Sequence, residues 1–325
     1  MMIVKREIKY DILIIIGLAA IILAHVNPSK YIFQLRNFDV VLMILISSYL
    51  GLKSYKNIGF VEYIKKRFIR LVIPTWIFLV IFFCLNFFFN FIVVDYKTII
   101  TSFSLHSGIG YIWIIRIYFI IAFLIPICSV LLSKSKKYTY IFTIFLYILY
   151  EIMCHFGFFN NNILEYLFAF IIPCYTLIII STLIFNLGNK QLFSIIITSF
   201  VIFVSCGVYL YMKTGVIQQT QIMKYPFRLY YLSYGVLISS ILVLMLNKKH
   251  IIKTNKIINF ISKNSLWIYL WHILFIYIAS QFEVHWFIKY MFTVICTVII
   301  VYVQSKIIGG IRNKSIKKCL AVFIG

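Results

Sequence analysis

The sequence predicts an all-α fold: a polytopic bundle of about ten transmembrane helices that forms a single integral-membrane domain over residues 1–325. Three observations support this prediction. Hydrophobic residues make up 63% of the chain and charged residues only 12%, whereas soluble domains carry about 25% charged residues. Apolar runs recur along the whole length, near the roughly 20 residues that cross a bilayer. No segment is polar enough to form a second domain.

The ten predicted spans follow one another in chain order, some of them shorter than others. They lie near residues 10–26, 38–52, 71–94, 112–132, 138–153, 164–185, 192–212, 229–246, 266–281 and 286–305. The first has the basic start and apolar core of a signal peptide, but Ala19, Ala20 and Ala24 lie inside the apolar run instead of after it. We therefore predict an uncleaved first helix.

The basic residues predict the topology. Of the 31 Lys and Arg residues, 23 lie in the two terminal segments and in alternate connections between spans. Six lie in the other connections, and Arg116 and Lys289 lie within spans. This asymmetry follows the positive-inside rule and predicts that both termini are cytoplasmic. It also accounts for the net charge of +23, so nucleic acid is not an expected partner, whereas membrane lipids are.

The cysteines, the histidine spacing and the lengths of the outer connections argue against several kinds of site. The seven cysteines lie mostly in spans without a Cys-x-x-Cys pair, so we expect neither a disulfide framework nor a zinc site. No two histidines have metal-ligand spacing, so no metal is expected. The longest outer connections, 95–111 and 213–228, have about 16 residues each. Any chemistry must therefore use groups inside the bundle or at its mouths.

His25 ends the apolar run LIIIGLAAIILAH, about 22 Å of helical rise beyond Tyr10. Ionisable groups inside a span are costly and usually face a cavity or a partner. A neutral imidazole can act as a general base toward a hydroxyl. The other interpretation is an interfacial histidine that ends the first helix before Asn27-Pro28. The residues alone leave both interpretations open.

Any group that orients this imidazole must come from another span, because Asp11 lies about 21 Å away on the same helix. Asp39, at the outer start of the second span, is the candidate. Its other interpretation is a solvated carboxylate at a helix N-terminus. Glu151, near the outer end of the fifth span, is as compatible with exposure as with a role in the site.

Arg116 lies about five residues inside the fourth span. It either extends to the outer headgroups or lies in a polar cavity and binds an anionic or carbonyl group. The amphipathic neighbours Trp113 and Tyr118 favour the cavity. His272 lies about one and a half turns into the ninth span, beside an aromatic packing face. His106, in a connection, is assigned no role.

The segment EYIKKRFIRLVIP is basic and amphipathic, with neighbours on a helical face at Lys65, Lys66, Arg67 and Arg70. One interpretation is an anchor on the anionic inner leaflet. The other is a cytoplasmic phosphate site for a nucleotide-like cofactor, because arginine grips phosphate. The residues favour the anchor.

Five segments, in chain order, resemble the membrane acyltransferase 3 family. In YDILIIIGLAAIILAHV, Asp11 is followed fourteen residues later by His25, as in the first helix of that family. The others are NFDVVLMILISSYLG (37–51), YIKKRFIRLVIPTWIF (63–78), GIGYIWIIRIYFIIAFLIP (108–126) and NSLWIYLWHILF (264–275). The chain departs from the family at Ile14, where a basic residue is usual, and at Ser47-Ser48, where Ser-Gly is usual.

The resemblance implies an O-acyltransferase of the bacterial plasma membrane, similar to those that O-acetylate capsule or exopolysaccharide. It implies acetyl-CoA as the cytoplasmic donor and a hydroxyl of a polysaccharide or lipid-linked sugar as the acceptor. The catalytic residues would be His25, as base or acyl carrier, Arg116, at the carbonyl oxygen, and Asp39. The donor site would be Lys65, Lys66, Arg67, Arg70 and Asp11. The acceptor site would include His272 and Trp113.

Two alternatives remain. One is transfer of a larger group such as succinyl. The other is a transporter or polymerase of lipid-linked saccharides, which is also polytopic and basic inside. A polymerase is expected to carry a sizeable basic outer loop, and a flippase a central cavity lined by charges from several spans. The short outer connections and the scarcity of charges within spans count against both.

Overall fold

The computed structural model describes residues 7–56, 58–106, 108–158, 163–248, 255–311 and 323. These residues form helices and connections, without a strand. The α-helices are α1 (Ile8–Ala24), α2 (Lys30–Leu35), α3 (Asp39–Tyr55), α4 (Phe60–Phe89), α5 (Tyr96–Phe103), α6 (Trp113–Lys134), α7 (Lys136–His155), α8 (Ile163–Asn186), α9 (Asn189–Thr214), α10 (Leu229–Lys248), α11 (Lys256–Lys263), α12 (Ser265–Ser280) and α13 (Trp286–Gly310). A short 3-10 helix, Thr220–Met223, precedes α10.

The all-α polytopic bundle is confirmed. Each of the ten predicted spans coincides with one α-helix, and eight helical segments of the described residues are long and apolar enough to cross a membrane. The other two spans correspond to α1 and α12, which have 17 and 16 residues. The side of the membrane on which each end lies stays a prediction.

A first compact unit lies within residues 1–33, 61–119 and 253–325. In it, α1 packs against α11, α12 and α13, and α12 packs along α13. The helix α12 forms the core of this unit, because its middle turns, from Trp267 to Leu274, are buried on every side. Such an all-round apolar helix is typical of a bundle centre.

A second compact unit lies within residues 34–60 and 120–252. Here α10 packs against α9 and α3, and α8 packs against α3 and α7. A Cβ atom on Gly235 of α10 would lie 2.5 Å from Val41 of α3, so only glycine permits this close helix approach. The prediction of a single domain over residues 1–325 stays a prediction.

Helix boundaries differ from the predicted spans mainly where charge interrupts an apolar run. The third span was expected from residue 71, whereas α4 begins at Phe60 and includes the whole basic segment. Three short helices, α2, α5 and α11, were not predicted. In each case the charged residues lower the local hydropathy without preventing helix formation.

Candidate functional site

The ring of His25 lies just past the last turn of α1. This residue is the C-cap, with φ −91° and ψ −3°, and its N–H donates to the Ile22 carbonyl. Asn27 then adopts a left-handed φ of 51°, and Pro28 cannot continue a helix. The local sequence therefore ends α1 where the imidazole can leave the helix surface.

His272, 247 positions away on α12, lies beside this ring. Its Nε2 is 3.0 Å from the Nδ1 of His25, and the two rings stack with centroids 5.2 Å apart. His272 is fully buried, whereas His25 is half-buried. The structure thus brings together two residues that the sequence analysis assigned separately, one to catalysis and one to the acceptor.

Hydrogen bonds determine the tautomers of this histidine pair. The Nδ1 of His272 faces the backbone carbonyl of Tyr269, which can only accept, so this nitrogen carries a proton. In a neutral ring the Nε2 of His272 then accepts, and the Nδ1 of His25 must donate to it. This leaves the Nε2 of His25 as the basic nitrogen of the pair, which is the arrangement a general base requires.

Tyr111 supplies a third ring, which the sequence analysis missed. It meets His25 edge-to-face with centroids 4.6 Å apart. Its backbone carbonyl accepts a bond from the hydroxyl of Tyr269, and Tyr277 donates to the neighbouring carbonyl of Ile109. Burial raises the pKa of the Tyr111 phenol, so this group stays neutral near pH 7. Two tyrosines of α12 therefore hold the connection that carries Tyr111.

The same connection depends on one glycine. Gly108 has φ +50°, and a Cβ atom there would lie 2.0 Å from the hydroxyl oxygen of Ser102 on α5. That hydroxyl also accepts a bond from the N–H of Ile109 at 3.1 Å. The backbone can approach α5 this closely only without a side chain.

A cavity of about 210 Å³ opens beside His25. Its polar lining comes from His25, Asn27, Ser280, Trp286 and Lys289, and the remainder is apolar. The last two residues lie on the first turn of α13 and were not predicted as site residues. The cavity gives a small molecule access to His25, whereas His272 is not among its lining residues.

Arg116 contacts a histidine that was assigned no role. Its guanidinium lies 3.2 Å from the Nδ1 of His106, which is exposed, while Arg116 itself is half-buried in the first turn of α6. Trp113 begins the same helix and is also half-buried. The roles of Arg116 at a carbonyl oxygen and of Trp113 at the acceptor stay predictions.

Asp11 lies in the first turn of α1, at the end away from His25. Its carboxylate accepts a bond from the hydroxyl of Ser262 on α11 at 2.6 Å, and it is buried. This contact ties α1 to α11. The structure leaves the donor-binding role of Asp11 a prediction.

The basic segment forms the first turns of α4. Lys65, Lys66 and Arg70 are exposed, and Lys66 forms an ion pair with Glu62. Arg67 is half-buried, because its guanidinium stacks on the ring of Tyr63 and donates to the Tyr63 hydroxyl at 3.1 Å. Both the leaflet anchor and the phosphate site remain open for this segment.

Asp39 is not the solvated carboxylate that one interpretation expected. It is only 1% exposed, accepts from Arg36 at 2.8 Å, and also accepts from the N–H of Val40. Arg36 lies three residues earlier, in the turn that joins α2 to α3, and its carbonyl accepts from the N–H of Asp39. Asp39 belongs to the second unit, and its role in orienting His25 stays a prediction.

Two further polar groups of the second unit are engaged. Burial lowers the pKa of Lys224 to about 8, although the Asp39 carboxylate raises it. Glu151 accepts from Arg228 at 2.8 Å and from the N–H of Leu229, which fixes the start of α10.

In the part of the chain that the structure describes, no three His, Cys, Asp or Glu side chains are grouped to hold a metal ion.

Comparison with known proteins gives one match. A family model described as an acyltransferase domain matches residues 9–305, which includes every residue assigned to the site. No curated protein and no solved structure matches the chain.

Proposed function

Since the chain belongs to the acyltransferase 3 family and is a membrane acyltransferase, we propose that it transfers an acetyl group from cytoplasmic acetyl-CoA to a hydroxyl of a cell-surface polysaccharide or its lipid-linked precursor. The observation that carries this proposal is the hydrogen bond between His25 and His272 beside a cavity. This bond uses the Nδ1 of His25, and we propose that the Nε2 of the same ring meets the acceptor hydroxyl.

In the proposed reaction, the Nε2 of His25 removes the proton from the acceptor hydroxyl. The oxygen attacks the thioester carbonyl carbon, a C–O bond forms and the C–S bond breaks. The departing thiolate takes the proton back from the imidazolium, which gives an O-ester and free coenzyme A thiol. His272 acts as a positioning residue, because its Nε2 accepts from His25 and fixes the tautomer that this step requires.

An alternative for the same site is a two-step transfer in which the Nε2 of His25 carries the acyl group briefly. The tautomer argument holds for this route as well, because the same lone pair attacks. Arg116 is proposed to stabilise the carbonyl oxygen as charge develops on it. Its contact with His106 would hold the guanidinium in place.

The proposed donor site lies at the other end of α1, with the basic residues at 65–70 contacting the phosphates and Asp11 closing the site. Ile14 stands where the family usually has a basic residue, so either Arg116 or another cation substitutes for that residue, or transfer by this member of the family is impaired. Since Asp11 and His25 are about 21 Å apart along α1, the acyl end of the donor must reach along this helix.

The test compares surface glycans from cells that lack the gene and cells that carry the wild-type, His25→Ala or His155→Ala protein. Ester-linked acetyl and succinyl groups are measured by NMR, together with polymer length. We expect full-length polymer without ester when His25 is replaced, and normal ester with the matched control, because His155 is exposed at the end of α7. Loss of polymer itself would instead favour a transporter or polymerase, and a succinyl signal would identify a larger acyl group.

A further inference from the structure

The cavity at His25 contains a cation that the proposed transfer chemistry does not use. Lys289 lies in the first turn of α13 and lines the cavity together with Trp286, three positions earlier. Residues three apart share one face of a helix, so both side chains reach the cavity from the same face of α13.

Lys289 forms no ion pair with the part of the chain that the structure describes. Among the described residues, no carboxylate lies within ion-pair distance of its ammonium group, and the side chain is half-buried. The nearest acidic residue in the sequence, Glu283, is exposed and also forms no ion pair within those residues. A half-buried lysine in a cavity of this kind favours an anionic ligand.

The size of the cavity limits what enters it. A volume of about 210 Å³ exceeds the roughly 150 Å³ of an engineered cavity that binds benzene. This is room for a single sugar ring next to His25, with the rest of a longer chain outside. Trp286 offers an amphipathic wall, with an apolar face for the ring and one N–H donor.

We infer that the acceptor is an anionic saccharide whose negative group lies one sugar ring or less from the reacting hydroxyl. Lys289 binds that group, Trp286 packs against the ring, and His25 receives the hydroxyl proton. An ammonium is a compact point charge, so carboxylate and phosphate are equivalent in this role. The inference rests on the proposed function, because it takes His25 as the base that meets the acceptor.

The test uses purified full-length protein in nanodiscs, with acetyl-CoA and four soluble acceptors. These are the methyl glycoside of glucuronic acid, its neutral uronamide, methyl glucoside 6-phosphate and neutral methyl glucoside. The two charged acceptors separate carboxylate from phosphate as the source of the negative group. We expect kcat/KM for either or both charged acceptors to exceed that for the matched neutral one by about tenfold or more, mainly through KM. Added salt should reduce this preference.

The decisive variants are Lys289→Gln and Lys289→Arg, with Lys306→Gln as the control. Lys306 lies near the other end of α13 and is exposed, so its replacement removes the same charge without altering the cavity. We expect Lys289→Gln to abolish the preference for charged acceptors, and Lys289→Arg to keep it. The Lys306→Gln protein should behave as wild type.

Direct binding separates this inference from the proposed function. Quenching of tryptophan fluorescence by each acceptor is measured without donor, with Trp286→Phe to identify the signal. Lys289-dependent binding of a charged saccharide without any acyl transfer would support an anionic-saccharide site at the cavity and overturn the proposed function. Transfer at equal rates to charged and neutral acceptors, unchanged in Lys289→Gln, would overturn the inference and leave the proposed function standing.

Discussion

Among the described residues, the first unit contains the His25–His272 pair and the second contains the buried Asp39 cluster, and different interactions stabilise the two clusters. In the first unit, His25 and His272 form a chain of hydrogen bonds that ends on the carbonyl of Tyr269. In the second unit, the Asp39 carboxylate accepts from Arg36 at 2.8 Å and interacts electrostatically with the buried Lys224.

The difference between the clusters indicates that one contributes mainly to activity and the other mainly to stability. A chain of neutral donors and acceptors fixes ring orientation and still presents one lone pair that can take up a proton. An ion-paired cluster has its charges satisfied within the protein, and removal of one member leaves another charge buried. We therefore expect the histidine pair to determine activity and the Asp39 cluster to determine stability.

The largest expected effect is the loss of stability when the Asp39 cluster of the second unit is changed. Asp39→Asn keeps the shape of the side chain but leaves Arg36 and Lys224 without their carboxylate. We expect the free energy of unfolding to fall by about 3–5 kcal/mol, measured by thermal or denaturant unfolding in detergent. A triple variant, Arg36→Met, Asp39→Leu and Lys224→Met, should recover most of that loss, because no charge then remains buried. Unchanged stability of Asp39→Asn would contradict the assignment of the Asp39 cluster to stability.

The next effect concerns the histidine pair. His272→Phe keeps a ring at this position but offers no acceptor to the Nδ1 of His25. We expect kcat to fall by about 10- to 100-fold without a change in KM for the donor, because the required tautomer is no longer favoured. His272→Gln, which retains an acceptor, should keep more activity than His272→Phe. Equal kcat in the wild type and His272→Phe would remove His272 from the mechanism.

A third effect is a dependence of stability on pH in the second cluster only. Because burial lowers the pKa of Lys224 to about 8, the folded protein binds fewer protons than the unfolded chain between about pH 8 and pH 10. Stability should therefore rise with pH through this window, by no more than about 1.4 kcal/mol per pH unit. Unfolding scans of the wild type and Lys224→Met measure it. The same slope in both proteins would show that another group is responsible.

The smallest expected effect is the loss of stability when an exposed carboxylate outside both clusters is replaced, and it serves as the reference for Asp39→Asn. Asp95 caps α5, where its side chain accepts from the N–H of Thr98. This bond lowers the pKa of Asp95, and the side chain is exposed. We expect Asp95→Ala to cost much less stability than Asp39→Asn in the same unfolding assay. A comparable loss would mean that burial is not what makes Asp39 important.

Hydropathy predicted the helices well because backbone polar groups must be satisfied within each span. Hydropathy did not predict helical segments that are rich in charged residues, such as the first turns of α4. It also did not predict the short helices. The ion pair of Asp39 with Arg36 has a local spacing of three residues and was accessible from the sequence. The interpretation of Asp39 as solvated ignored that spacing.

The histidine pair could not be predicted as a pair, because 247 residues separate its members and no local period links them. The carbonyl of Tyr269 that determines the tautomer of His272 is a backbone group, so the pattern of side chains cannot predict it. Tyr269 does lie three positions before His272, which on a helix is a signal that the two are neighbours. Lys289 was noted within a span, but only the cavity connects it with His25.

Gly108 has a consequence for how the site tolerates sequence change. Alanine there would drive its methyl group into the backbone and hydroxyl of Ser102, so the connection would have to detach from α5. Tyr111, three residues further on, would move with it and withdraw its ring from His25. A position that contacts no substrate would thereby become as intolerant of mutation as the histidines themselves.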